Sequence, residues 1–373
     1  MNVTSALALL FGVALVAATS WLSERAGRIV GSVLLAGAVA VVARFAVGLP
    51  IGALLGLAAG ATALRFAPAL VLRRVTFLVP ALVLMMFATV LLMFAAPGNP
   101  FANERVASPE VEAALRARYG VPANGVEFFA IYLKRLLVDG TLGPSIKVQG
   151  RSVEDLLGPA FPVSLSLGLL ALMLSVAIGL SFGFYAGLKP KSFSDHASTG
   201  LSLVGISLPN FVIGAGLMIV FALWLGWLPV AGWGSYAHLA LPAVTLALPN
   251  AAVVARLARS GMVEVMQQDF VRTARAKGLP EHLVVGRHAF RGAILPVVSY
   301  LGPAAATIMT GSFVVEVLFG VPGMGQWFVK GAVNRDYSVV LGTALIYFGL
   351  ITLFNLVVDL AYAWLDPRVR GRA

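Results

Sequence analysis

Asp269–Arg291 reads "DFVRTARAKGLPEHLVVGRHAFR", a stretch with seven ionic side chains and two histidines set between two long apolar runs. Upstream, "GMVEVMQQDFVRTARAKG" places Met262, Val265, Met266, Phe270, Thr273 and Ala274 at helical spacing with charges on the other face, and Gly278 and Pro280 then stop the helix. A second amphipathic piece runs from about Glu281 to Phe290, so the spacing predicts a helix, break, helix unit outside the apolar phase. One reading makes it an interfacial helix whose Arg and Lys meet anionic lipid. Another seats it in a protein groove, which suits its small residues and its acids better.

The surroundings are membrane-like. Of 373 residues, 59% are hydrophobic and 12% charged, with a mean hydropathy of +0.91. That exceeds what one soluble core buries and indicates an integral membrane protein. A spanning helix needs about 20 apolar residues, and unbroken runs of this length exclude a β-barrel, whose strands would alternate. Apolar runs predict helices near 5–22, 29–47, 49–64, 75–96, 161–187, 198–225, 239–258, 295–318 and 340–362. The fold class is therefore all-α, a set of six spans preceded by two or three more in residues 1–66. The first run lacks a basic n-region and a clean cleavage site, and reads as a retained span.

Charge sets the orientation. Arg256 to Gly292 holds seven Lys/Arg against three acids, whereas residues 97–157 hold seven of each. The basic loop is cytoplasmic, together with Arg65, Arg73, Arg74, Lys189, Lys191 and the tail arginines, and the neutral region 97–160 is extracytoplasmic. The net charge of +11 thus serves topology, and no nucleic-acid partner is expected. The outer region should be ordered. "SPEVEAALRARYG" carries a cap at Ser108, Pro109 at the first helical position and a stop at Gly120, and "VEFFAIYLKRLLVDG" puts Phe128, Phe129, Tyr132, Leu136 and Val138 roughly on one face. That region reads either as a cap over the bundle or as a docking surface.

Enzyme signatures are missing. There is no cysteine, no phosphate-binding glycine loop, no HExxH, and none of the four histidines falls inside an expected span, so neither a catalytic nor a metal site is expected. Polar residues inside spans become the functional candidates. "SLPNF" and "ALPNA" pair Pro209 with Asn210 and Pro249 with Asn250, and a proline that frees a carbonyl must face protein or a water-filled cavity. These four are candidates for the solute path, or else amides that satisfy neighbouring helices. Glu316, before the turn "GVPGMGQ", is a candidate gate residue or an interfacial anchor, and Asn355 and Asp359 share a helix face in a structural role.

"RTARAKG", with His288 ten residues after the glycine and Pro296 eight later, resembles the cytoplasmic EAA loop of ABC importer permeases of the peptide/nickel (dipeptide/oligopeptide) family. The likeness extends over about residues 73–370 through "APGNPF", "GPSIKVQGRSVEDLL", "SLPNF", "WLPVAGW", "RLARSGMVEV", "GMGQWFVKGAVNRDYSVV" and "DLAYAWLDPRVR". It departs from the generic loop in having Arg272-Thr273-Ala274 for Glu-Ala-Ala and Phe290-Arg291 for Leu-Pro, the variant common in peptide-type permeases. The resemblance implies a type I importer fold for 67–373 in the bacterial cytoplasmic (inner) membrane. It implies a heterodimer with a second homologous permease, two ATPase subunits and an extracytoplasmic peptide-binding protein, with ATP and Mg held by the ATPases and no cofactor here. It also implies a coupling loop, 256–293, carried onto Asp269, Phe270, Arg272, Thr273, Ala274, Arg275, Lys277, Gly278 and His288. The family pattern has no counterpart for residues 1–66. A transporter or channel working alone is the alternative.

Overall fold

The computed structural model describes residues 68–96, 98, 100–101 and 109–365, so the expected N-terminal spans, Ser108 and the tail arginines lie outside the described residues. The described part is helical, with no strand and one isolated bridge between Pro144 and Ser152. In chain order the helices are α1 Pro68–Ala95, α2 Pro109–Tyr119, α3 Gly125–Lys134, α4 Val153–Leu188, α5 Phe193–Ser207, α6 Asn210–Leu217, α7 Tyr236–Val265, α8 Asp269–Ala276, α9 Glu281–Leu283, α10 Phe290–Ala293, α11 Leu295–Leu318, α12 Met324–Asn334 and α13 Tyr337–Leu365. Wider π-helical turns extend α3, α6 and α9 over Arg135–Asp139, Met218–Trp224 and Val284–Ala289.

Among the described residues, α4, α7, α11 and Tyr337–Val358 of α13 are long and apolar enough to cross a membrane, and the expected run 75–96 falls on α1, whose apolar part is Pro80–Ala95. The expected single helix at 198–225 is corrected: α5 and α6 meet at a bend of 110°. The cause is local. Proline pushes the preceding residue out of the helical region, and Leu208 (φ −92°, ψ 131°) and Pro209 (φ −61°, ψ 145°) are both extended. Pro209, with no N–H to satisfy, then starts α6, its carbonyl accepting from Val212 and Ile213 at 3.0 and 3.2 Å. An apolar run shows that a segment is buried, not that it is straight.

The described residues divide into two compact units, one formed by those between 68 and 163 with Gly323–Leu356, the other by Ser164–Pro322 with 357–365. In the first, Asn124 caps α3, accepting from the Val126 N–H at 2.9 Å. Phe128, Tyr132 and Leu136 are buried at four-residue spacing, and Phe128 joins Phe94 in an aromatic cluster around Tyr337 with centroids 5.1 and 5.8 Å from it, Tyr132 adding to Phe128 at 6.2 Å. Phe129 is half-buried and Val138 is 72% exposed, so the expected face is narrower, because the π turn rotates Val138 off the stripe. The Asp336 carboxylate accepts from the Ser145 hydroxyl and the Lys147 N–H (3.1 Å), tying loop 145–147 to the start of α13.

In the second unit α7 is the central strut. Gly179, Gly183 and Gly187 of α4 lie one turn apart against it, and a Cβ on Gly179 or Gly187 would stand 2.7 Å from the Ala251 carbonyl or 2.9 Å from the Arg259 carbonyl. Small residues at this spacing let two backbones touch, which is how helices associate where water gives no hydrophobic drive. Exposed Trp224, Trp227, Trp233 and Tyr236 gather between α6 and α7, as expected of side chains at a membrane interface.

Candidate functional site

The loop of the opening stretch is a folded unit. Helix α7 ends at Val265, Gln268 is extended (φ −71°, ψ 149°), and α8 begins at Asp269. On α8 the inward positions are Val271 and Ala274, which pack on Val284 with Val265, Met266 and Leu279 around them. The face expected from the helical spacing is therefore corrected, with Met262, Val265 and Met266 packed inward as well. Ala274 belongs to the buried seam and not to a presented face, while Phe270 is 49% exposed and Arg272, Thr273, Arg275 and Lys277 face outward. The expected continuous helix is two, since the chain turns at Met266–Gln268 to bring Val271 under α9.

The end of α8 is a Schellman turn. Gly278 is left-handed (φ +76°), its N–H donates to the Arg275 carbonyl at 2.9 Å, and the Leu279 N–H donates to Ala274 at 3.3 Å. Leu279 completes the motif by packing on the Val271–Ala274–Val284 cluster. Across the turn the Arg275 guanidinium donates to both Glu281 oxygens, at 2.6 and 3.2 Å. The guanidinium holds the Glu281 carboxyl below its ordinary range, and the carboxylate in return raises Arg275. Arg272 and Asp269 approach at 3.6 Å on the exposed rim. His288 sits half-buried in the π turn, followed by Ala289 and Ala293, which pack on Met262.

The intramembrane candidates converge on α11. The Asn250 side-chain oxygen accepts from Tyr300 Oη at 3.0 Å and Thr307 Oγ1 at 2.9 Å, and its NH₂ donates to Leu246 at 3.4 Å. One turn beyond Thr307 is Gly311, where an added Cβ would lie 2.9 Å from Asn210 Nδ2. Asn210 and Asn250 thus address one stripe of α11, the second through an inter-helix network. Pro249 stays inside α7 without ending it, while Pro209 makes the corner. Glu316 is 0% exposed near the end of α11, its side chain enclosed by protein. Beyond it Val321 N–H donates to the Glu316 carbonyl (2.9 Å), Gly320 is left-handed (φ +64°), and Gly232 N–H donates to the Phe319 carbonyl (2.8 Å).

Sequence reasoning missed an ion pair. Asp195, 4% exposed, takes both Arg259 Nη2 (2.8 Å) and Nε, and accepts from the Lys191 N–H at 2.8 Å in a turn where Lys191 is left-handed (φ +65°). Only the pairing across 64 residues gives Asp195 meaning, and a single sequence does not display it. The Gly179–Gly183–Gly187 seam was missed as well, although its four-residue repeat is a signal that could have found it.

Residues 179–371 match the family described as "Binding-protein-dependent transport system inner membrane component". The oligopeptide transport system permease protein OppB of Haemophilus influenzae is 41% identical over 302 residues, covering 80% of this chain and 98% of the relative. OppB of Escherichia coli is 43% identical over the same coverage, and the dipeptide transport system permease protein DppB of Bacillus subtilis is 42% identical over 76% of this chain and 91% of its own. A solved amino acid ABC transporter is 19% identical with a TM-score of 0.41, covering 54% of this chain and 94% of that one. With the family matched over more than half of the chain and relatives above 40% identity along nearly their whole length, the chain belongs to the binding-protein-dependent transport inner membrane components, as a multi-pass permease subunit of an ABC importer.

Proposed function

We propose that this permease imports peptides, forming the solute path with a second homologous permease and taking its driving force from two cytoplasmic ATPase subunits, with an extracytoplasmic peptide-binding protein delivering the substrate. The observation that carries the substrate class is identity of 41–43% to permeases named for oligopeptide and dipeptide transport, over 91–98% of their length. ATP and Mg belong to the ATPases, and this chain performs no chemistry of its own.

The Asp269–Gly278 segment is the coupling element. Its Schellman turn and the Val271–Ala274–Val284 seam make a rigid knob, with Phe270, Arg272, Thr273 and Lys277 facing outward to enter an ATPase groove. ATP-driven approach of the ATPases moves the knob, and packed helices then shift as bodies. Pro209, Asn210 and Glu316 serve the pathway and its gate, and Pro249 and Asn250 hold α7 to α11 beside it. Residues 1–66 are a hydrophobic extension ahead of the 67–373 permease domain, with a role in packing or partner contact.

The test is reconstitution of this chain into vesicles with the second permease, ATPases and binding protein. Labelled peptide should enter only with ATP on the ATPase side and with binding protein on the other. Uptake by this chain alone under a proton gradient, or peptide-independent ATP turnover with no uptake, would reject the reading.

A further inference from the structure

Helix α5 is held to α7 in an unusual way. Its buried residues are Asp195, Ser198 and Ser202, at a helical spacing of three and four, and none is apolar. Leu201, Leu203, Val204 and Ile206 are exposed, and Gly205 also comes close to α7, where an added Cβ would meet the Ala252 Cβ at 3.1 Å. The α5 side of this interface carries no large interlocking side chain, so shape alone sets its position along the α7 axis only loosely. A bidentate guanidinium–carboxylate pair, by contrast, fixes distance and angle together. Arg259 supplies that pair from the last turns of α7, upstream of Val265 where the helix ends and the loop begins. Asp195 is itself locked by the Lys191 N–H, and Ser192 caps the same turn, accepting from the Asp195 N–H at 3.3 Å.

We propose that Asp195 and Arg259 are positioning residues of the transport cycle, a tie that delivers displacement of the Asp269–Gly278 loop to the bent α5–α6 pair. The inference rests on the coupling reading given under the proposed function. Without the tie, α7 moves with the loop while α5 slips along its serine face, and the Pro209 corner does not follow. Hydrolysis then continues with less solute moved.

The experiment uses the complete importer in vesicles, measuring peptide taken up per ATP hydrolysed. Asp195→Asn keeps the shape and removes the charge, and Arg259→Lys keeps the charge and removes the fork. Uptake per ATP should fall about tenfold in each, in the range typical of coupling between sites. Asp195→Glu, which retains a carboxylate for the fork, should recover most of the ratio. An assembled Asp195→Asn or Arg259→Lys importer with the wild-type ratio overturns the proposal. Failure of both variants to assemble, even at low temperature, assigns the pair to folding alone and also overturns it. If instead the wild-type complex shows no ATP-dependent uptake, the fault lies with the coupling reading itself.

Discussion

At Gly278 the backbone makes a demand that only some residues meet. Its φ of +76° is left-handed, yet no atom lies within 4 Å of where a Cβ would stand, so substitution is opposed by the backbone and not by crowding. A left-handed residue with a side chain costs about 1–2 kcal/mol, less for Asn than for a β-branched residue. Gly278→Val should therefore shift the α8–α9 turn and lower uptake per ATP severalfold, while Gly278→Asn stays close to wild type. Equal behaviour of the two variants would separate the turn from coupling. Across the same turn, the lowered Glu281 pKa means that the Arg275 pair stabilises the loop above the unfolded carboxylate value, and the contribution is lost as pH falls through the lowered one. Both side chains are substantially exposed, so the effect is small and salt-screened. The protection factors of the Gly278, Leu279 and Glu281 amides, taken relative to intrinsic exchange at each pH, should fall on acidification, and Glu281→Gln should remove that dependence. The glycine and its turn were legible in the sequence because the Gly-x-Pro pattern punctuates any helix. The bond between Arg275 and Glu281 was not, since six residues of chain give no angle between two helices.

Among the elements, α11 was read at both ends from its apolar run, 295–318, because Pro296 starts it and the Gly/Pro turn stops it. The run at 198–225 misled because hydropathy is blind to direction, and Pro209 decides direction. Face assignment failed in a similar way on α8, where helical spacing singles out Ala274 but only the neighbouring Val284 shows which side is inward. The α4–α7 seam yields the sharpest test at this scale. Gly183 faces the Ala255 carbonyl and the Ala258 side chain, with no flexible chain end to move aside. Gly183→Leu should part the helices and destabilise the unit by about 1–3 kcal/mol, as overpacking does. The readout is a lower thermal transition of the detergent-solubilised complex. Gly216→Leu, at a site with nothing within 4 Å, should change it little. Equal transitions for the two variants would show that the seam is not close-packed.

For the molecule as a whole, composition decided the phase it lives in, and ordered motifs decided the family, while the internal ties needed coordinates. "GPSIKVQGRSVEDLL" and "NRDYSVV" look unrelated along the chain, yet Ser145 and Asp336 join them with a hydrogen bond across 191 residues. Asp195 and Arg259 do the same within the other unit. Such pairs are few and distant, and a pattern read in windows of 11 to 18 residues does not reach them. The candidate pathway divides for the same reason. Asn210 and Asn250 look equivalent as Pro-Asn steps, but Tyr300 and Thr307 engage only Asn250.

One consequence concerns stiffness. Along α4, α7, α10 and α11 the contacts include close backbone approaches and a polar network beside the Val254–Ala258–Val297 apolar cluster: Gly187 on the Arg259 carbonyl, Gly261 on the Ala293 carbonyl at 2.5 Å from its would-be Cβ, and Asn250 on Thr307. Where glycine meets a carbonyl directly there is no flexible chain end to move aside, so separation of these helices is resisted. At the corner both Leu208 and Pro209 are exposed, and the missing proline N–H leaves one rung fewer in the ladder. Elastic compliance is therefore concentrated at this hinge between stiff members, and strain entering the unit should be taken up first at residues 207–210.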